Sequence, residues 1–184
     1  MYLPTIECQS GTHFPFLQPS AESVVAEDIA YALANTCRFN GHIPFYSVAE
    51  HSVAVAVRLP PHLQLAGLLH DAAEAYLSDI PSPIKQYLPD YCAMEDKIQA
   101  VIFARYNIVL SEDDKKEIKA ADKDATSTEA FYLLPSKGKA WSSVLFIPNE
   151  HFRPRLLPPP AAYKLFMHWL TELTAPLESK LVNA

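Results

Sequence analysis

Apolar residues recur at helical spacing along most of the chain. Val24, Val25, Ile29, Ala32 and Leu33 predict a helix over 21–35. CRFNGH, residues 37–42, follows it, with a turn at Asn40-Gly41. Ser47 and Glu50 have capping-box spacing and open a helix to about Leu59, which Pro60-Pro61 ends. Pro61 suits the first turn of the next helix, which runs to about Ser78. Within it, Leu65–Leu77 reads LAGLLHDAAEAYL, and ten of its thirteen residues are apolar or Gly. They cover every face, the pattern of a helix buried in a core. Asp79–Lys85 contains Pro81 and Pro83 and predicts a loop or irregular turn. A helix at about 90–106 turns Ile98, Val101, Ile102 and Met94 inward. Another, capped by Ser111 and Asp114, runs to about Leu134, and a last one spans about Ala161 to Leu173. Residues 1–19, with Gly11, Pro4, Pro15 and Pro19, predict a small hairpin or extended lead-in. Residues 135–160 hold six prolines and predict a loop-rich excursion with a short extended piece at Val144–Ile147. The class is all-α, a bundle of five to seven helices in a single domain over 1–184, with a small N-terminal β-hairpin as a candidate addition.

Composition narrows the setting. The 184 residues are 49% hydrophobic and 20% charged, enough for one ordinary domain with a sizeable core. A net charge of −6 with no dense Lys/Arg block argues against nucleic acid as the main partner, while leaving room for a local basic pocket for phosphate. Cys8, Cys37 and Cys92 are odd in number and form no CxxC pair, which points to a reducing compartment and away from a structural zinc site. The start MYLPTIECQS has no secretory pattern, and no apolar run approaches eighteen residues. A cytoplasmic protein without a membrane span is expected.

Three polar side chains interrupt the apolar helix: His70, Asp71 and Glu74. Burying an isolated carboxylate is very unfavourable, so such groups are paired or bound to metal. His70 and Glu74 are i and i+4 on one face, with Asp71 about 100° round from His70. A buried His–Glu pair with a capped Asp is the plain alternative. His51 faces inward with Val48, Ala54 and Val55 on the preceding helix, and consecutive helices on short connections are neighbours. In IKAADKDATSTEA, residues 118–130, Asp122 shares a side with Ile118, Ala125, Glu129 and Leu133. Asp124 lies with Lys116, Glu117, Lys123 and Ser127. Asp122 is therefore the candidate ligand and Asp124 a surface charge. Two His and two Asp make a mixed N/O site suited to Mn, Fe, Co, Ni or Zn. Arg38 offers a planar fork and Lys85 a point charge to phosphate; the plain reading of each is a surface charge. Phe39 suits a core position or stacking on a base. His13, His42, His62, His151 and His168 have no acidic doublet beside them, and Cys37 reads as packing.

H…HD…D in an all-α chain resembles the HD-domain metal-dependent phosphohydrolases, and more closely their 5′-deoxynucleotidase-like branch. The matching segments are CRFNGH, YSVAEHS, LLHDAAEAYLSDIPSPIK and IKAADKDATSTEA. Small phage enzymes that remove triphosphate from dATP are similar in size and in these motifs. The resemblance implies an HD-domain bundle with His51, His70, Asp71 and Asp122 on a divalent transition metal (Zn, Co or Mn), and Mg as a candidate second ion carried by phosphate. It implies that Glu74 orients or deprotonates water, that Asp79 assists at the leaving oxygen, and that Arg38, Phe39 and Lys85 meet substrate. The expected reaction cleaves the 5′ phosphate ester of a 2′-deoxynucleotide, a monophosphate or a triphosphate, with a purine favoured. A homo-oligomer is expected, and neither nucleic acid nor membrane as partner. A nucleotide-binding regulatory module without catalysis is the alternative, and a metal-stabilised interaction domain a third.

Overall fold

The computed structural model describes residues 4–139 and 152–181. The helix wholly enclosed by protein is α2, Val48–Ala56, all nine of whose residues are buried. Its sequence VAEHSVAVA explains this, because small and branched apolar residues let neighbours approach on every side. It packs against α1 (Ala26–Asn35), α3 (Gln64–Leu68), α7 (Glu112–Leu133) and α8 (Pro159–Leu181). The main core joins α1, α2 and α8 through Ile29, Leu33, Val53, Ala162 and Phe166, and reaches α6 (Pro89–Arg105) at Ile98 and Ile102. A second cluster fills the wedge between α2, α3 and α7 with Val55, Leu59, Leu63, Ala66, Ile118 and Ala125. Gly67 lies against the end of α2: a Cβ there would run into the Leu59 side chain and touch the Ala56 backbone.

The expected N-terminal hairpin is present. Strands β1 (Thr5–Glu7) and β2 (His13–Pro15) pair antiparallel with Ile6 opposite Phe14. Phe14 is fully buried and stacks on Tyr76, with ring centroids 3.6 Å apart. The buried Asp28 carboxylate of α1 accepts from the backbone N–H and hydroxyl of Ser10, pinning the hairpin turn.

The expected all-α bundle is present, and among the described residues it is divided into eight α-helical segments, three of them of five residues or fewer, for two local reasons. The single helix expected to about Ser78 is broken. A 3₁₀ turn at Pro61–Leu63 leads into α3, and α4 is only Glu74–Leu77. Between them the chain tightens to i→i+3 bonds, with Ala72 N–H on Leu69 O and Glu74 N–H on Asp71 O. The Gln99 amide from α6 fills the backbone groups that the break exposes. Its Nε2 donates to Leu69 O at 2.7 Å, and its Oε1 accepts from Ala73 N–H at 3.1 Å. The second reason is α5, Ser82–Lys85, a single helical turn inside the segment expected to be loop. Pro83 fits in its first turn, where a missing N–H costs nothing.

Other boundaries moved less. The first helix is a 3₁₀ turn, Ala21–Ser23, followed by α1, because Val24 and Val25 are extended. At α2 only half of the anticipated capping box forms. Ser47 accepts from Glu50 N–H, but the Glu50 carboxylate is drawn away to the backbone N–H groups of Arg155 and Leu157. Helix α7 has both halves of its box, between Ser111 and Asp114. Helix α8 runs past the expected end at Leu173, through Pro176, to Leu181. The extended piece expected at Val144–Ile147, and His151, lie outside the described residues.

Replacing Gln99 by Leu keeps the volume, leaves the Ala73 N–H without its side-chain acceptor and leaves the Leu69 carbonyl only the Ala72 N–H. Urea unfolding is expected to register a loss of about 1–3 kcal/mol, the scale for stranding buried polar groups. Unchanged stability would show that the break does not depend on this amide.

Candidate metal centre

His51 comes from α2, His70 and Asp71 from the break between α3 and α4, and Asp122 from α7. The break matters chemically. It turns the His70 and Asp71 side chains from a continuous helix surface towards α2. One ligand atom from each of His51, His70 and Asp71 lies within 4.8 Å of the others, a cluster that could hold a metal ion. His70 Nε2 is 3.1 Å from Asp71 Oδ2, and His51 Nε2 is 3.6 Å from the same oxygen. Asp122 Oδ1 is 3.2 Å from His51 Nε2 and 3.9 Å from His70 Nε2. Two ligands each about 2.1 Å from one ion sit about 3.0–3.4 Å apart in octahedral or tetrahedral arrangements. Two of the four separations, 3.1 and 3.2 Å, fall in that range, and the other two, 3.6 and 3.9 Å, are somewhat wider.

The tautomers follow from the partners. His70 Nδ1 lies 2.8 Å from the Gly67 carbonyl and His51 Nδ1 2.7 Å from Glu129 Oε1. A carbonyl and a carboxylate only accept, so both rings donate from Nδ1. That leaves Nε2 of each ring buried, facing the other three groups, and without a hydrogen-bond partner. Buried nitrogens are not normally left so, and a divalent cation answers the vacancy in their bonding. The donor set of two imidazoles and two carboxylates fits a divalent transition metal.

Electrostatics without an ion show the strain of the arrangement. Burial and the Arg38 charge push His51 down, but Glu129 and Asp122 outweigh them and raise its pKa to about 9. His70 is also raised: burial opposes this, and Asp71 prevails. Burial raises Asp71, yet His70, His51 and Arg38 hold it below the usual carboxylate range; Asp122 falls to about 2, where His51 and His70 overcome its burial. Glu74 goes the other way, to about 10, from burial first and then from the charges of Asp71 and Asp79. Asp79 is raised, chiefly by burial.

The remaining candidates cluster around this point. Glu74 is buried, with Oε2 unpartnered and Lys85 Nζ 3.8 Å from Oε1. Lys85 Nζ also bonds Glu95 of α6 at 2.7 Å. Arg38 is not a surface charge: it is 9% exposed. Its Nε donates to Glu129 Oε2 and its Nη2 to Thr126 Oγ1, both at 3.0 Å, while Nη1 stands 3.9 Å from Asp71 Oδ2. Phe39 lies under the Arg38 guanidinium, 5.6 Å from centroid to Cζ. It has a left-handed backbone, φ 55°, next to Asn40 at 51° and Gly41 at 74°. Bulky residues rarely adopt this region, so the CRFNGH loop holds strain beside the cluster. A backbone bridge between Cys37 and Ser47 ties that loop to the start of α2. Asp124 keeps a side chain that is 45% exposed, as expected of a surface charge, and pairs with Arg58 Nε at 2.6 Å.

Glu129, Thr126, Tyr46 and Gln99 carry contacts that sequence reasoning left unassigned. The signal for two of them was present. Thr126 and Glu129 stand four and seven residues after Asp122, on its side of α7, and an acid on an inward stripe needs a partner.

No family model matches the chain. It is 40% identical over 173 residues to YfdR of Escherichia coli K12, described as uncharacterized, covering 92% of this chain and 95% of that one. The chain belongs to the YfdR family. An uncharacterized Rhodobacter capsulatus protein is 37% identical to this YfdR-family chain over 134 residues, 66% of this chain and 68% of its own. A 5′-deoxynucleotidase of Vibrio atlanticus is 37% identical over a shorter stretch of 54 residues, 29% of this chain and 28% of its own.

Opposite pH trends are expected with and without metal. His51 is raised to about 9 and Glu74 to about 10, so the metal-free fold binds protons more tightly than the unfolded chain between their ordinary values and these. Their contribution to stability is complete below those ordinary values and is lost as pH rises through about 9–10. Asp122 and Glu129, held at about 2, contribute above their ordinary values and lose that contribution as pH falls through about 2. Metal competes with the imidazole protons, so affinity for Co²⁺ rises as pH approaches 9. Thermal melts of metal-free protein and Co²⁺ titrations from pH 6 to 9 check both. Parallel trends would contradict the arrangement of charges.

Proposed function

We propose that this YfdR-family protein is a divalent-metal-dependent phosphohydrolase that cleaves the 5′ phosphate ester of a 2′-deoxynucleotide, built as one HD-type domain over residues 1–184. The observation that carries the reading is the pair of buried, unpartnered Nε2 atoms of His51 and His70 facing Asp71 and Asp122. The Vibrio atlanticus similarity supports the substrate class.

In this reading His51, His70, Asp71 and Asp122 hold the ion, with Zn²⁺, Co²⁺ or Mn²⁺ suiting the donors. A bound divalent ion would supply Lewis acidity at the phosphate and a lowered pKa for water. Glu74 takes the water's proton at Oε2, the carboxylate oxygen that has no other partner. Burial and Asp79 still hold Glu74 up; the positive charge of a bound ion beside it would favour the ionised carboxylate that a base needs. Asp79 assists at the departing 5′ oxygen. Lys85 Nζ and Arg38 Nη1 face the phosphate oxygens as point charge and planar donor. Phe39 and the strained CRFNGH backbone meet the sugar or base, which is where exclusion of a 2′-hydroxyl would arise. Mono- and triphosphates share the bond to the 5′ oxygen, so both are candidate substrates.

The test is a screen of deoxy- and ribonucleoside mono- and triphosphates with Mn²⁺, Co²⁺ and Zn²⁺. Release of deoxynucleoside, with phosphate or triphosphate, is expected, and slower turnover of ribonucleotides. Binding of deoxynucleotide without turnover would favour the regulatory reading instead. Glu74→Gln keeps shape and removes the base; kcat is expected to fall by roughly 10²–10⁴ with metal still bound. Unchanged kcat in metal-loaded Glu74→Gln would remove Glu74 from the mechanism. Asp122→Ala is expected to lose both metal and activity.

A further inference from the structure

One buried carboxylate touches both halves of the candidate site. Glu129 of α7 is 1% exposed. It accepts from His51 Nδ1 at 2.7 Å, from Tyr46 Oη at 3.0 Å and from Arg38 Nε at 3.0 Å. Each contact has a different origin: His51 is on α2, Tyr46 just ahead of it, and Arg38 in the CRFNGH loop. Thr126, one turn before Glu129, adds a second path. Its hydroxyl accepts from Arg38 Nη2 and donates to Asp122 Oδ1 at 3.2 Å. Asp122, Thr126 and Glu129 thus form a stripe at i, i+4 and i+7 on α7.

We propose that Glu129 is a positioning residue that sets His51 in the Nδ1–H tautomer and, with the same carboxylate, aims Arg38 across the metal centre. The argument is one of donors and acceptors. An ionised carboxylate has acceptor sites only, and here three donors converge on them. His51 must place its proton on Nδ1, which leaves the Nε2 lone pair for the ion. Arg38 spends Nε and Nη2 on Glu129 and Thr126, so Nη1 is the nitrogen left at the edge of the cluster. A shift of Glu129 would therefore disturb the metal ligand and the phosphate-side cation together. An amide in its place would bring an NH₂ group either against Arg38 Nε, which only donates, or against the protonated His51 Nδ1, and there only the Tyr46 hydroxyl could turn to accept. This inference rests on the metal centre described above, and it extends to phosphate only through Arg38.

Two measurements test it, and neither uses turnover. ¹⁵N-histidine spectra of the zinc-loaded wild-type protein should show His51 protonated on Nδ1 and coordinated through Nε2. Coordination through Nδ1, or a proton on Nε2, would overturn the proposal. Co²⁺ titration of Glu129→Gln, with the metal-free melting temperature measured alongside, should show affinity weakened by roughly 10–100-fold, the scale for partners of metal-ligating histidines. Affinity of the Co²⁺-loaded protein for inorganic phosphate should fall with it. Glu129→Asp retains acceptors and should lie between Glu129→Gln and wild type. Tyr46→Phe removes one donor without touching His51 or Arg38 and should leave Co²⁺ affinity within a few-fold of wild type. A folded Glu129→Gln protein with wild-type Co²⁺ affinity would overturn the proposal. If Glu129→Gln does not fold, the spectra and Glu129→Asp decide. Loss of phosphohydrolase activity in the substrate screen, with the tautomer and Co²⁺ results as expected, would count against the enzymatic reading and leave this one standing.

Discussion

Everything in this fold answers to the burial of two imidazole nitrogens in the middle of an apolar bundle. Placing Nε2 of His51 and of His70 out of water, facing two carboxylates and with no hydrogen-bond partner, is costly unless something compensates both. The structure supplies half of that compensation from its own backbone and side chains, by anchoring each Nδ1–H. The other half is what a divalent ion held by this cluster would supply. The fold is arranged around this. Helix α2 is buried along its whole length with His51 near its centre, and the chain breaks between α3 and α4 where His70 and Asp71 meet it.

The break shows how a local defect becomes a site. A continuous helix over Leu65–Leu77 would set Asp71 about 100° round from the face shared by His70 and Glu74. Tightening to i→i+3 bonds at Leu69–Glu74 gathers them, and the Gln99 amide satisfies the backbone groups released. The CRFNGH loop stores strain in a comparable way, with three successive residues at positive φ beside the cluster. Both features lower local stability, and both lie next to the polar groups. Such coincidence of irregular backbone with titratable clusters is the usual mark of a working site.

Much of the architecture was legible in the sequence. The all-α class, the hairpin and the helices starting at Ser47 and Ser111 followed from apolar spacing and capping residues. The break in the buried helix did not, because the apolar pattern of Leu65–Leu77 is the same whether the helix is continuous or broken. The difference lies in Gln99, thirty residues beyond Leu69, and no local pattern announces it. The HD doublet within an apolar run was the legible core of the site, and the helical wheel put Asp122 on the inward side of α7, where it stands 3.2 Å from His51 Nε2. Arg38 was harder. A charged residue in a polar turn reads as exposed, and only the three-dimensional position of Glu129, ninety-one residues away, explains its burial. Partners at long sequence separation are what a single sequence conceals.

The account stands on one claim, that His51, His70, Asp71 and Asp122 share one divalent ion. Anomalous diffraction from crystals grown with Co²⁺ or Zn²⁺ tests it most directly. The account predicts one strong site per chain, about 2.0–2.2 Å from Nε2 of His51, Nε2 of His70 and one carboxylate oxygen each of Asp71 and Asp122. No anomalous peak between these four residues at saturating metal, or a peak held by other side chains, would contradict it.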